Sequence, residues 1–281
     1  MREIKVSQIT EIVKDLCIKA CTELNPDVQQ AIAQALENEP SEAGKAVLRQ
    51  LLDNADIARS EKIPICQDTG FTVVYLELGQ QVNLTDGSLN DAINLGVKQG
   101  YTEGYLRKSI VKNPLLAPEN TKDNTPAIIH TDIVPGDKLK ISVLPKGGGS
   151  ENMSRIKMMK PADGVEGVKN FVIETVNQAG ANPCPPIVVG VGMGGTFDHV
   201  AYLAKKTLLR KIGQRNPDPR LAELEVEWLK EVNKLGIGPA GLGGRTTALD
   251  LFIEEFPRHI ATYPAAVNIQ CHADRSKTFI L

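Results

Sequence analysis

The sequence predicts a mixed α/β (α+β) fold, with a helical N-terminal layer packed on a small mixed β-sheet and further helices around it. Three observations predict it. The first sixty residues place apolar side chains at helical spacing, short runs rich in β-branched residues follow, and amphipathic helical stretches alternate with those runs. No internal repeat, low-complexity tract or Ser/Gly-rich linker interrupts the chain, so residues 1–281 are expected to form one continuous domain whose helical part spans residues 1–60.

Ile9, Ile12, Val13, Leu16, Cys17, Ala20, Cys21 and Leu24 form one stripe of i, i+3, i+4 spacing and predict the first helix. Asn25-Pro26-Asp27 ends it and starts a second, expected to run to about Leu36. Ala43, Val47, Leu48, Leu51, Leu52 and Ala55 mark a third. Character then changes: Phe71 to Leu78 is β-branched-rich and reads as a strand. Residues 88–105 suit a helix. Ala127–Val134 and Lys138–Leu144 read as strands joined by the turn signal Pro135-Gly136-Asp137. Residues 161–179 are helical, with Pro161 in the first turn, and Ile187–Gly190 is a short buried strand. Residues 197–212 and 219–235 are helices separated by Asn216-Pro217-Asp218-Pro219, and Thr246–Ile253 suits a strand or a short helix.

Composition bounds the function. The chain has 281 residues, 42% of them hydrophobic and 23% charged, which is globular rather than disordered. A formal net charge of −2 gives no electrostatic reason to expect nucleic acid or a membrane surface. No apolar run approaches the ~20 residues needed to cross a bilayer. The first ten residues interleave charges and lack the apolar stretch of a secretory signal, so the expected compartment is the cytoplasm. Five cysteines, an odd number in a long chain, fit thiols better than a disulfide framework.

Those thiols fall into two kinds. Cys17 and Cys21 lie on the apolar stripe of the first helix, where a free cysteine behaves as a small hydrophobe. Cys66, Cys184 and Cys271 lie in turn-rich stretches, Ile63 to Gly70, Asn182 to Pro186 and Asn268 to Asp274, whose Pro, Gly and Asn hold non-helical backbone and let N–H groups face sulfur. A Cys-Pro step also closes the bacterial ferredoxin run. No Cys-x-x-Cys is present, and spacing alone leaves three unrelated loop cysteines equally open. Chemistry favours a site. Three cysteines can hold three irons of a [4Fe-4S] cluster and leave the fourth without a protein thiolate, as a Lewis acid open to a hydroxyl and a carboxylate. A dehydratase needs such an acid because hydroxide is a poor leaving group. It also needs a base and cationic clamps, and Asp68 and Arg107 are suitable types.

Gly190-Val191-Gly192-Met193-Gly194-Gly195 matches G-x-G-x-x-G, but no acidic second strand follows, so a dinucleotide site is rejected in favour of a close backbone approach near the Cys184 loop. Lys146-Gly147-Gly148-Gly149-Ser150 lacks the Walker spacing. Its bare N–H groups suit a carboxylate nest, and a plain surface turn fits equally well. Of the histidines, His130 reads as a core residue, His199 as a helix start, and His259 and His272 bracket the third cysteine.

At these residues the chain resembles the iron–sulfur (class I) fumarate hydratases and the related L(+)-tartrate dehydratases. The matching pieces are Cys66 to Gly70, Lys146 to Asn152, Asn182 to Pro186, Val189 to Asp198 and Gln270 to His272, in the family's order over most of the chain. The resemblance implies that Cys66, Cys184 and Cys271 carry the cluster, and that Gln67, Asp68, Arg107 and the Gly147, Gly148 and Gly149 backbone face a dicarboxylate. It also places His259 close to the site. Single-chain members of the family are longer and have a second domain, so this chain resembles the α subunit of the two-subunit form. That implies a hydro-lyase interconverting fumarate and (S)-malate with a β subunit, in a heterotetramer. L(+)-tartrate dehydratase is the near alternative, and a non-catalytic zinc-binding interaction protein the distant one.

Overall fold

Helices and short strands alternate in the computed structural model, which describes residues Met1–Leu281. In chain order they are β1 (Arg2–Lys5), α1 (Val6–Thr22), α2 (Pro26–Asn38), α3 (Glu42–Glu61), β2 (Phe71–Gly79), β3 (Val82–Thr85) and α4 (Leu89–Glu103). Next come β4 (Val111–Lys112), β5 (Glu119–Asn120), β6 (Ile128–Val134), β7 (Leu139–Lys146), α5 (Gly148–Asn152) and β8 (Arg155–Met159). The remainder are α6 (Gly164–Ala179), β9 (Ile187–Gly195), α7 (Phe197–Lys206), α8 (Pro219–Asn233), β10 (Ala248–Arg258), β11 (Tyr263–Gln270) and β12 (Lys277–Ile280). The mixed α/β class follows directly. Starts are set by local chemistry: Pro26 sits in the first turn of α2, and the Ser88 hydroxyl accepts the Asp91 N–H at the start of α4.

The chain divides into two units, each built from separated stretches. Met1–Leu24, Ala55–Gly148 and Arg275–Leu281 make the first, and Asn25–Asn54 with Gly149–Asp274 the second. The division falls inside α3, so the N-terminal helices serve two cores, α1 in the first unit and α2 in the second. No helix is long and apolar enough to cross a membrane.

In the first unit the sheet order is β12-β7-β2-β6. β6 and β7 are not paired with each other. Central β2 lies between them, parallel to β6 and antiparallel to β7. The predicted stripe of α1 is buried, and with Ile93, Val97 and Tyr101 of α4 and Val74, Leu76, Ile141 and Val143 of the sheet it forms one core. Two glycines of α4 allow the helices to close. A Cβ on Gly96 would lie 2.6 Å from the Thr10 carbonyl oxygen, and one on Gly100 2.9 Å from the Cys17 Cβ.

In the second unit the order is β10-β9-β11-β8, with β9 and β10 parallel and β11 antiparallel to both β9 and β8. α6 and α8 cover one face through Val168, Val172, Val176, Trp228 and Val232, against Val189 and Val191 of β9. The intervening Gly190 and Gly192 serve the opposite face, where α7 lies. Cβ atoms there would stand 2.2 Å from the Ala204 carbonyl oxygen and 2.4 Å from that of Val200. The glycine-rich run is therefore strand, not a loop between strand and helix. Its close approach is to α7 and not to the Cys184 loop, which corrects the sequence-based placement.

Candidate active site

Cys66, Gln67, Asp68, Arg107, Gly147 and Gly148 belong to the first unit. Cys66 lies between α3 and β2 on a loop without regular structure, half-buried, with its Sγ 3.4 Å from the Asp68 backbone N–H that points at it. It also lies 3.3 Å from the exposed Gln67 Oε1. The Asp68 carboxylate accepts two backbone N–H groups, from Gly70 at 2.9 Å and from Gly148 at 2.8 Å. It fixes the Cys66 loop to the glycine run. Arg107 has an exposed side chain, and its carbonyl accepts the Thr69 hydroxyl at 3.1 Å, which brings its backbone beside the same loop.

The glycine run carries the chain from β7 into α5. Lys146 ends β7 buried, Gly147 is buried, and Gly148 and Gly149 are exposed in the first turn of short α5. A Cβ on Gly148 would meet only the Asp68 Oδ2 at 3.7 Å, and one on Gly149 only the Asn182 carbonyl at 3.5 Å. Both are ordinary contacts, so packing within the chain does not demand glycine at either position.

Gly149, Cys184, Cys271 and His259 belong to the second unit. Cys184 is exposed and takes φ 56°, a left-handed conformation that costs a non-glycine residue about 1–3 kcal/mol. Cys271 follows the last residue of β11, so Asn268 to Gln270 is strand end rather than the turn-rich stretch expected. Gln270 pairs in register with Val188 of β9, which puts Cys271 at the sheet end from which the Cys184 loop leads into β9. The His272 N–H donates to the Cys184 carbonyl at 3.3 Å and ties the two cysteine segments together. Beside them, the buried amide nitrogen Nε2 of Gln270 has no hydrogen-bond partner, although its Oε1 accepts the Ser150 hydroxyl at 3.4 Å. An orphaned buried donor next to one exposed and one half-buried thiol fits a bound group at this position.

His259 is not there. It lies in the turn between β10 and β11, exposed, its Nδ1 accepting the Ala261 N–H at 3.1 Å. The eight residues of β11 separate it from Cys271, about 26 Å at ~3.3 Å per residue. Within its own chain His259 is thus a strand's length from Cys271, because β11, which the sequence pattern did not reveal, lies between them. His259 instead lines a cleft with His199, Phe197 and Phe256.

Cys17 and Cys21 are fully buried within the first unit's core. Burial pushes both thiols up, Cys21 to about 11. No three His, Cys, Asp or Glu side chains converge as a site for a single metal ion. Sequence reasoning missed the residues that hold the Cys66 loop from inside. The Tyr101 hydroxyl donates to the Thr69 carbonyl at 2.6 Å, the Asn124 amide to the Gly70 carbonyl at 3.1 Å, and the Arg275 guanidinium to the Asp68 carbonyl at 2.5 Å. Tyr101 was hidden on a helix face that reads as core, and Asn124 and Arg275 stand in loops with no local motif.

The model of the fumarate hydratase (Fumerase) family matches residues 10–280. A Methanocaldococcus jannaschii protein, provisionally named L(+)-tartrate dehydratase subunit alpha, is 46% identical over 274 residues, covering 95% of each chain. The L(+)-tartrate dehydratase alpha subunit of Escherichia coli O157:H7 is 34% identical over 98% of this chain and 91% of its own. That of Escherichia coli K12 is 33% identical over the same shares. The chain belongs to the fumarate hydratase (Fumerase) family, as a hydro-lyase α subunit of the fumarate hydratase/tartrate dehydratase kind.

Proposed function

We propose that this chain is the cluster-bearing subunit of a cytoplasmic hydro-lyase that interconverts fumarate and (S)-malate, with Cys66, Cys184 and Cys271 as the thiolates of a [4Fe-4S] cluster. The observation that carries it is the contrast among thiols. Three sit on non-helical backbone or at a strand end with sulfur at least partly exposed, and two are sealed in the core. The N–H facing the Cys66 sulfur and the orphaned Gln270 amide suit a sulfur-ligated group. Three thiols held by separate segments suit a group larger than one ion. When bound, such a cluster supplies a Lewis acid toward a hydroxyl leaving group.

The chain's own residues then divide the remaining work. Exposed Gln67 and Arg107 offer an amide and a guanidinium to a dicarboxylate, and guanidinium matches carboxylate in a bidentate fork. Exposed Gly148 and Gly149 offer backbone that a ligand can approach without meeting a side chain. Asp68, with both oxygens on backbone N–H groups, holds Cys66 and the glycine run in register. No residue of the chain is placed as the base for the carbon-bound proton. We assign that base to a β subunit, in a heterotetramer of two α and two β chains, and the relatives' naming as alpha subunits supports such a partner.

L(+)-tartrate dehydration is the second reading, favoured by the names of the same relatives. The two differ by one substrate hydroxyl. The test is to purify the α/β complex anaerobically and compare kcat/KM on fumarate, (S)-malate and L(+)-tartrate. Higher kcat/KM on malate and fumarate is the expected result. Higher kcat/KM on tartrate replaces the substrate assignment, and no turnover on any of the three overturns the function.

A further inference from the structure

We propose that the glycine-rich loop of residues 238–244 is a positioning element that holds Cys184 in its ligating conformation, a role that rests on the cluster assignment above.

Two non-glycine residues of the second unit take a left-handed φ, Cys184 at 56° and Ala240 at 53°, and one hydrogen bond joins their segments. The Ala240 N–H donates to the carbonyl of Pro185, the residue after the cysteine, at 2.8 Å. Both Cys184 and Ala240 are exposed, so core packing does not impose their conformation. Backbone in such a region persists only where its surroundings fix it, and here each strained segment is fixed by the other.

The turn around Cys184 has few handles of its own. Pro183, Pro185 and Pro186 carry no N–H, and the Cys184 N–H closes the turn onto the Ala181 carbonyl at 3.0 Å. The loop grips this turn at both ends. After the cysteine stands the Ala240 bond to Pro185. Before it, Gly241 at φ 77° approaches Ala181 so closely that a Cβ would lie 2.3 Å from the Ala181 Cβ.

The loop is itself anchored away from the cysteine. The Gly243 N–H donates to the Ile237 carbonyl at 2.9 Å, and the Gly238 N–H to the Thr247 hydroxyl at 3.3 Å. Buried Glu39 accepts the N–H groups of Arg245 at 2.9 Å and Thr246 at 2.8 Å, just beyond Gly244. Leu242 is 63% exposed, so the loop adds little to the core, and its tethers serve geometry. A ligand residue already held in its bound conformation gives up less freedom when the group binds. Partners that orient ligands are typically worth roughly 10–100-fold in metal affinity.

The test uses the anaerobic α/β complex with its cluster in place, and follows iron release to a chelator with iron and acid-labile sulfide counted per α chain. Gly241→Ala forces the loop off Ala181 and should release iron roughly tenfold faster than wild type. Adding Ala181→Gly removes the clashing Cβ and should bring the rate back toward wild type. Gly192→Ala overpacks α7 on the same unit's sheet, away from the Cys184 turn, and should lower the thermal midpoint while keeping the wild-type release rate. Wild-type release in Gly241→Ala overturns the proposal. So does a double variant that is not rescued, or equally fast release in Gly192→Ala, since general loss of stability would then explain the effect. Should Gly241→Ala not fold, Ala240→Pro decides, because proline has no N–H and cannot take this φ. Faster release then supports the role and an unchanged rate overturns it. A wild-type complex that binds no cluster overturns the cluster assignment, whereas a loaded wild type whose variants match it overturns the role of the loop alone.

Discussion

A metal binds a thiolate, and a thiol buried in apolar surroundings keeps its proton. Cys21, pushed to about 11 by burial and only partly pulled back by Arg275, is held as a thiol at any physiological pH. Cys66 is half-buried on a loop, with the Asp68 N–H pointing at its sulfur. Exposure decides the glycines in the same way. At Gly149 a methyl group meets nothing in the chain closer than 3.5 Å and the backbone is not left-handed, so Gly149→Ala should leave the thermal midpoint nearly unchanged. A ligand approaching that backbone would meet the methyl. The expected outcome in steady-state kinetics of the α/β complex is a KM for dicarboxylate raised roughly tenfold, worth about 1.4 kcal/mol of binding. An unchanged KM would remove Gly149 from the substrate surface.

Elements place these residues, and two contacts in the second unit are strong enough to measure. Burial pushes the Glu39 carboxyl up, but N–H groups of Arg245, Thr246 and Ser41 more than offset that and hold it below the usual carboxylate value. A depressed folded-state value means that the stabilisation is complete above the unfolded value, about 4.3, and is lost as pH falls through the folded one. Urea unfolding of Glu39→Gln should therefore show a larger deficit at pH 7 than at pH 3. A deficit that does not change with pH would mean that the charge contributes nothing. Gly190→Ala tests the seat of α7. Its Cβ would stand 2.2 Å from backbone oxygen, and overpacking of this kind costs about 1–3 kcal/mol or more. A variant of wild-type stability would show that α7 can move away from β9.

The same elements show what the sequence could reveal. Helices with a clean stripe, such as α1 with Ile9, Val13, Leu16 and Ala20, were legible, because a 3.6-residue period in apolar side chains has one structural solution. Strand β11 was not. Tyr263 to Gln270 is buried from Pro264 onward between two neighbours, so it shows no alternation, and its alanines and Asn268 give no β-branched signal. With β11 in place, His259 and Cys271 lie at opposite ends of that strand. The loops of Cys66 and Cys184 were legible through Pro and Gly, whereas the segment before Cys271 is strand. The inner holders Tyr101, Asn124 and Arg275 were not, because a hydrogen bond to a distant loop leaves no local pattern.

At the scale of the whole molecule, the proposed function draws thiols, an arginine and glycine backbone from this chain and the base from a β subunit. The α subunit alone, reconstituted with iron and sulfide, should therefore hold its cluster and turn over little malate, since loss of a positioned base typically costs ~10²–10⁴ in rate. Full turnover by the lone chain, measured against the α/β complex, would place the base here and refute the division of labour. The central claim, that Cys66, Cys184 and Cys271 hold an iron–sulfur cluster, is tested most directly by counting iron and acid-labile sulfide per α chain after anaerobic reconstitution. The account predicts roughly four of each in the wild type, Cys17→Ser and Cys21→Ser, and loss of the cluster in Cys66→Ser, Cys184→Ser and Cys271→Ser. Full loading of any of those last three variants, or a wild type holding zinc without sulfide, would contradict it.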